Sequence, residues 1–132
     1  CPENFECTDT NCNFNLEKGR GYEVNINSSA PSSVIWSGVG IVYNKTTINL
    51  VKNATSFGKN WIAMYANTAL KNASGLIQNI SSSDAVTMWN SASQKSGGLI
   101  YFSGKYVGTN FNIHLEEGYE VSVSSDTSWE QV

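Results

Sequence analysis

The sequence predicts an α+β fold: mainly antiparallel β-sheet, as a sandwich or open barrel, with one amphipathic helix near residues 68–80. Three observations carry this reading. Most of the chain breaks into short runs rich in Val, Ile, Tyr, Phe and Thr, each bounded by Gly, Asn or Ser. A single stretch has helical spacing. One strand-rich passage occurs twice: Asn13-Phe14-Asn15-Leu16 through Gly21-Tyr22-Glu23-Val24-Asn25-Ile26 returns ungapped, 97 positions on, as Asn110-Phe111-Asn112-Ile113 through Gly118-Tyr119-Glu120-Val121-Ser122-Val123.

In chain order, residues 13–17 and 21–26 read as a hairpin, because Gly21 stands where the chain must reverse and Tyr22, Val24 and Ile26 alternate with Glu23. Strands follow at 33–36, 38–43, 46–51 and 60–65. From Thr68 to Ile80 the apolar residues Ala69, Leu70, Ala73, Leu76, Ile77 and Ile80 form one helical stripe, with Asn67 or Thr68 placed to cap the first turn. Ser81-Ser82-Ser83-Asp84 ends it. Strands are then expected near 85–90, 98–103, 110–115, 118–123 and 127–131. The pair 110–115 and 118–123 repeats the first hairpin, with Glu116-Glu117 at its tip and Tyr119, Val121 and Val123 on one face.

Repetition at a fixed offset is the mark of arrays built by stacking one unit. Each copy is followed by a tryptophan, Trp36 and Trp129, and only after Trp36 does a further strand-like run continue. Residues 1–29 therefore read as a Cys-containing segment and hairpin resembling the tail of a preceding repeat. Residues 30–132 read as one nearly complete unit, the whole forming a single folded domain. The strand expected after Trp129 is missing, either because a fragment boundary falls there or because a neighbouring subunit supplies the strand by strand addition.

Composition narrows the function. Seven lysines and one arginine are scattered singly and the net charge is −3, which argues against a nucleic-acid or anionic-membrane footprint. With 16 Asn, 27 Ser plus Thr and 15 aromatics, the profile is that of a secreted or surface domain. No apolar run reaches the roughly 20 residues of a membrane span, and no signal peptide is present, so the chain reads as mature or as an excised domain. Cys1, Cys7 and Cys12 crowd the first twelve residues. One local disulfide is expected there, its pairing open, with the third thiol available to a second chain or, as a minor alternative at Cys1, to lipidation. Sequons at Asn27, Asn44, Asn53, Asn72 and Asn79 permit N-glycosylation; composition alone would supply about three.

Catalytic constellations are absent from the sequence. His114 is the single histidine, no Gly-x-Ser-x-Gly or His-Glu-x-x-His occurs, and Asp9, Asp84 and Asp126 are too few for a calcium loop. No enzyme activity, metal or cofactor is expected. Of the four tryptophans, Trp36 and Trp129 hold equivalent repeat positions and Trp61 and Trp89 lie in apolar strands, so core packing is expected of them. A carbohydrate-binding or adhesion module is the alternative; it needs two or more indoles on one exposed face with Asn or Asp beside them.

From Thr46 to Trp129 the order is Ile48-Asn49-Leu50, Asn60-Trp61-Ile62-Ala63-Met64, the run Ala69-Leu70-Lys71-Asn72-Ala73-Ser74-Gly75-Leu76-Ile77, then Val86-Thr87-Met88-Trp89-Asn90, Phe111-Asn112-Ile113 and Gly118-Tyr119-Glu120-Val121. This order resembles the repeat found in tandem within large archaeal and some bacterial cell-surface proteins. The resemblance covers about two thirds of the chain and departs from the pattern at Ala63, where Gly is usual, and at Glu116-Glu117, where the first copy has Gly19-Arg20. It implies location and architecture rather than chemistry. The sequence thus points to a structural subunit of an extracellular filament, sheath or surface layer whose partners are copies of itself, with Phe14, Tyr22, Val24, Tyr119, Val121 and Trp129 as candidate assembly residues.

Overall fold

The computed structural model describes residues 15–22, 46–52, 58–90, 93–115 and 117–132. In chain order these form β1 (Thr47–Leu50), β2 (Gly58–Ala63), α1 (Ala73–Asn79), β3 (Ser83–Asn90), β4 (Lys95–Phe102), β5 (Lys105–Gly108), β6 (Gly118–Val123) and β7 (Thr127–Glu130). Every strand pairing is antiparallel. Five strands form one sheet in the order β2-β6-β3-β4-β5, and β1 with β7 forms a second. The expected α+β class, rich in antiparallel sheet with one helix, is what the chain adopts. The strands expected at 33–36 and 38–43, and all but the ends of the first hairpin, lie outside the described residues.

The core lies on one face of the five-stranded sheet. Ile62, Tyr119, Val121, Val86, Met88 and Leu99 project from it toward Ala73, Leu76, Ile77 and Ile80 of the helical region and toward Ile48, Leu50 and Trp129 of the two-stranded sheet. The period of two in β6 explains its placement: Tyr119, Val121 and Val123 are fully buried, while Glu120 faces the other way and meets Lys59 Nζ at 3.0 Å. Leu70, Phe111 and Ile113 close the core's margin.

Three elements depart from expectation. The helix is half the expected length, because residues 68–72 are held out of it by other partners. Ala69 N–H donates to Val132 O (3.0 Å), Thr68 Oγ1 donates to the same oxygen (2.7 Å), and Ile113 N–H donates to Lys71 O (2.9 Å). Asn72, rather than Asn67 or Thr68, is the N-cap: its backbone is extended and its Oδ1 accepts from Gly75 N–H at 2.9 Å. The two other early donors are also met, Ala73 N–H by Phe111 O (3.0 Å) and Ser74 N–H by Asn110 Oδ1 (2.9 Å).

Residues 110–115 are not the first arm of a hairpin with β6. They cross to the helix start, where Asn112 bridges Asn72, and β6 instead runs between β2 and β3. The chain also makes a hairpin that no expectation covered. After β4, Ser103 (φ 50°) and Gly104 (φ 81°) both take left-handed backbone and return the chain as β5, the two-residue turn that matches the twist of paired strands.

The two sequence copies share a hydrogen bond as well as a pattern. Tyr22 Oη accepts from Glu17 N–H at 2.7 Å, and Tyr119 Oη accepts from His114 N–H at 2.6 Å. Glu17 and His114 are themselves repeat equivalents, each five residues before its tyrosine. The repeated sequence therefore encodes a repeated local structure, a tyrosine hydroxyl fastening the backbone five residues before it.

Candidate functional site

Residues 19–21, within the first sequence copy, add to the outer edge of β2. Ala63 N–H donates to Gly19 O (2.9 Å) and Gly21 N–H donates to Trp61 O (3.2 Å), so that Arg20 pairs with Ile62. Glycine is required at both flanks. Gly19 has φ +73°, and a Cβ there would lie 2.7 Å from Ile48 Cδ1 and from Thr46 Cγ2; at Gly21 it would lie 2.9 Å from Ile62 O. Arg20 adds Nη2–H···O to Asn49 (3.3 Å) and an exposed 3.7 Å ion pair with Glu17. This seat is made of backbone hydrogen bonds and close packing on β1 and β2, which is the chemistry of strand addition.

The second-copy equivalents of Gly19 and Arg20 are Glu116 and Glu117. Glu116 lies outside the described residues. Glu117 is turned to its own unit, where its Oε2 is 3.3 Å from Tyr119 Oη. The sequence signal for the seat was present in this departure, but its meaning was hidden until the glycines were seen against Ile48 and Ile62.

Of the assembly residues expected from sequence, the structure gathers three, but in the chain's own core. Tyr119, Val121 and Trp129 are at most 3% exposed and belong to the chain's own core, so their side chains form no joint with a neighbour. Nor is the last strand left waiting for an outside partner: β7 pairs with β1 over Thr47↔Glu130 to Leu50↔Thr127, and Trp129 Nε1–H donates to Asn79 Oδ1 at 2.7 Å. Tyr22 is exposed beside the seat. Phe14, Val24, Cys1, Cys7, Cys12, Asn27, Asn44 and Asn53 lie outside the described residues.

The remaining sequons divide. Asn72 is half-buried, its Oδ1 accepting from both Gly75 N–H and Ser74 Oγ (3.0 Å). Asn79 is exposed, and its Oδ1 is engaged by Trp129. His114 is exposed, and among the described residues no group of three or more His, Cys, Asp and Glu is placed to hold a metal. No described helix is long and apolar enough to cross a membrane.

Two tryptophans overturn the core-packing expectation. Trp61 and Trp89 are 39% and 50% exposed, because they lie on the sheet face opposite Ile62 and Met88. On that face Trp61 stands in one row with Glu120, Thr87 and Gly98, and Trp89 lies two residues beyond Thr87. Their separation is about 12 Å, from two strand spacings and a two-residue rise. Further along the same face come Ile100, Phe102 and Val107, all more than half exposed, on β4 and β5. Trp129, by contrast, is buried as expected.

Comparison of the chain with protein-family models, with curated proteins and with solved structures finds no match.

Proposed function

We propose that this chain is a structural module of an extracellular filament, sheath or surface layer, in which one unit seats its tail on the next. The observation that carries the reading is the Gly19–Gly21 segment of the first sequence copy bonded, within one chain, to the outer edge of β2, the seat that the same segment of a neighbouring copy would take by exchange. It is the contact that stacked repeats need, each touching its neighbour through complementary edges. Placement outside the cell rests on the Asn, Ser and Thr-rich composition, the clustered cysteines and the sequons. The joint differs from the one the sequence suggested: the β2 edge and the Gly19–Gly21 tail take the part assigned to the C-terminal strand.

The test is substitution at the seat. In Gly19→Val a branched side chain must enter a left-handed backbone position already closed by Ile48 and Thr46. Electron microscopy should find ordered polymers of the native protein and none, or short ones, of the variant, with the near-ultraviolet circular dichroism of the two alike. Equal polymers from both, or a native protein that stays monodisperse at every concentration, overturn the proposal.

Carbohydrate binding on the open sheet face is the second reading, favoured by Trp61 and Trp89 standing exposed on one face with the Glu120 carboxylate between them. Indoles stack on the apolar faces of sugar rings while a carboxylate accepts from hydroxyls. Affinity electrophoresis through mannan or dextran should retard the native chain and release Trp61→Ala; equal mobility of the two eliminates this reading.

A further inference from the structure

We propose that β5 is a lateral joint at which two copies of this chain pair antiparallel about a two-fold axis between Val107 and its counterpart. The inference rests on the reading of the chain as a self-assembling module, and it adds the contact between neighbouring files that a sheath or layer needs. β5 ends the five-stranded sheet, and among the described residues no strand lies along its outer side. All four of its residues are exposed, Val107 by 62%. The devices that usually protect such an edge are missing: it holds no proline and no bulky charge except Lys105, and among the described residues no helix covers it.

The hairpin fixes which groups face outward. Phe102 pairs with Lys105 across the two-residue turn, and Thr109 N–H donates to Gly98 O at 2.9 Å beyond the other end of β5. Alternation then directs the N–H and C=O of Lys105 and Val107 at β4, and those of Tyr106 and Gly108 away from it. An outward row of backbone donors and acceptors is satisfied by another strand, and a second β5 fits it in one register. With Val107 opposite Val107 of the copy, Tyr106 and Gly108 exchange hydrogen bonds with Gly108 and Tyr106 of the copy.

Side chains agree with that register. Ile100 and Val107 of each copy make one apolar stripe on the open face, since Ile100 pairs with Val107 within the chain. On the other face each Tyr106 lies over the other copy's Gly108, where there is no side chain to displace it. Lys105 falls opposite Thr109 rather than a second lysine, so no like charges meet. Four-residue strands bury less than the roughly 800 Å² per partner of a stable complex. The single joint is therefore weak, and it becomes effective through repetition along an array.

A disulfide trap reads this register directly. Opposed residues of a non-hydrogen-bonded pair have Cα atoms about 4.5 Å apart, within disulfide reach. Two Tyr106 positions are offset by two residues and fall at about 8 Å, outside it. Under mild oxidation at high protein concentration, Val107→Cys should give a 107–107 linked peptide by mass mapping, at least tenfold more than Tyr106→Cys gives at 106. The native cysteines cannot produce either peptide. Equal yields from the two variants, or no 107–107 link, overturn the joint. The same trap in the Gly19→Val background separates the two proposals: a retained link upholds this pairing whatever becomes of the polymers, and a link from a chain that never forms polymers upholds it while the array reading falls.

Discussion

Tyr119 shows how a single polar atom organises the unit. Its ring is fully buried and stacked 6.0 Å from Phe111, while its hydroxyl accepts from His114 N–H and donates to His114 O at 3.1 Å. Tyr119→Phe keeps the ring and removes the fastening, so the unit should lose roughly 1–2 kcal/mol in urea unfolding. Tyr22→Phe removes the equivalent bond on an exposed tail and should cost less than about 0.5 kcal/mol. Asn72 makes a second residue-scale case, because one Oδ1 serves both Gly75 N–H and Ser74 Oγ. Asn72→Ala is expected to destabilise by about 1 kcal/mol and Asn72→Asp to restore most of it. At this scale the sequence was legible where residues alternate in a single strand, as in Tyr119, Val121 and Val123. It was illegible at Trp61, since Trp61-Ile62-Ala63-Met64 is apolar throughout and a run without alternation does not say which of its residues face the core; at Trp89 the alternation of Val86 and Met88 with Thr87 did place the indole on the outer face, and its apolar character outweighed that signal.

At the scale of elements, β3, β6 and β7 are strands where the period of two placed them, and the errors share one cause. Spacing records that residues are buried, but not what backbone buries them. Leu70 packs on the core from a segment outside the helix held by Val132, so its spacing relative to Leu76 and Ile77 imitated a longer helix. Phe111 and Ile113 reach the core margin in the same way from residues bonded to Lys71 and Ala73 rather than from a hairpin arm. β5 was missed although Ser103-Gly104 between Tyr101-Phe102 and Tyr106-Val107 is a recognisable turn signal. Proline distinguishes central from edge strands. Val121→Pro removes a ladder position from β6, which is paired on both sides, and should cost more than about 3 kcal/mol and yield no cooperative thermal transition. Tyr106→Pro replaces an N–H that faces away from β4 and should leave the melting temperature within a few degrees.

For the whole molecule, the repeat was legible as a repeated local structure, while the place where its first copy meets the rest of the chain was not. Pattern alone assigned the joint to residues that turn out to be buried, Tyr119, Val121 and Trp129, because the same apolar side chains serve a core or a joint. What marks the proposed joint is local geometry: a Cβ at Gly19 would meet the side chains of Ile48 and Thr46, and one at Gly21 the backbone of Ile62. The Gly19–Gly21 bridge to β2 and the edge of β5 lie at opposite ends of one sheet; in the proposed array, exchange of the first between chains and pairing of the second would extend that sheet in both directions. The measurement that tests this most directly is electron microscopy of the native protein beside Gly19→Val at matched concentration. The account predicts ordered polymers for the native chain and their loss in the variant, with the fold intact. Polymers of equal length and order from both would contradict it.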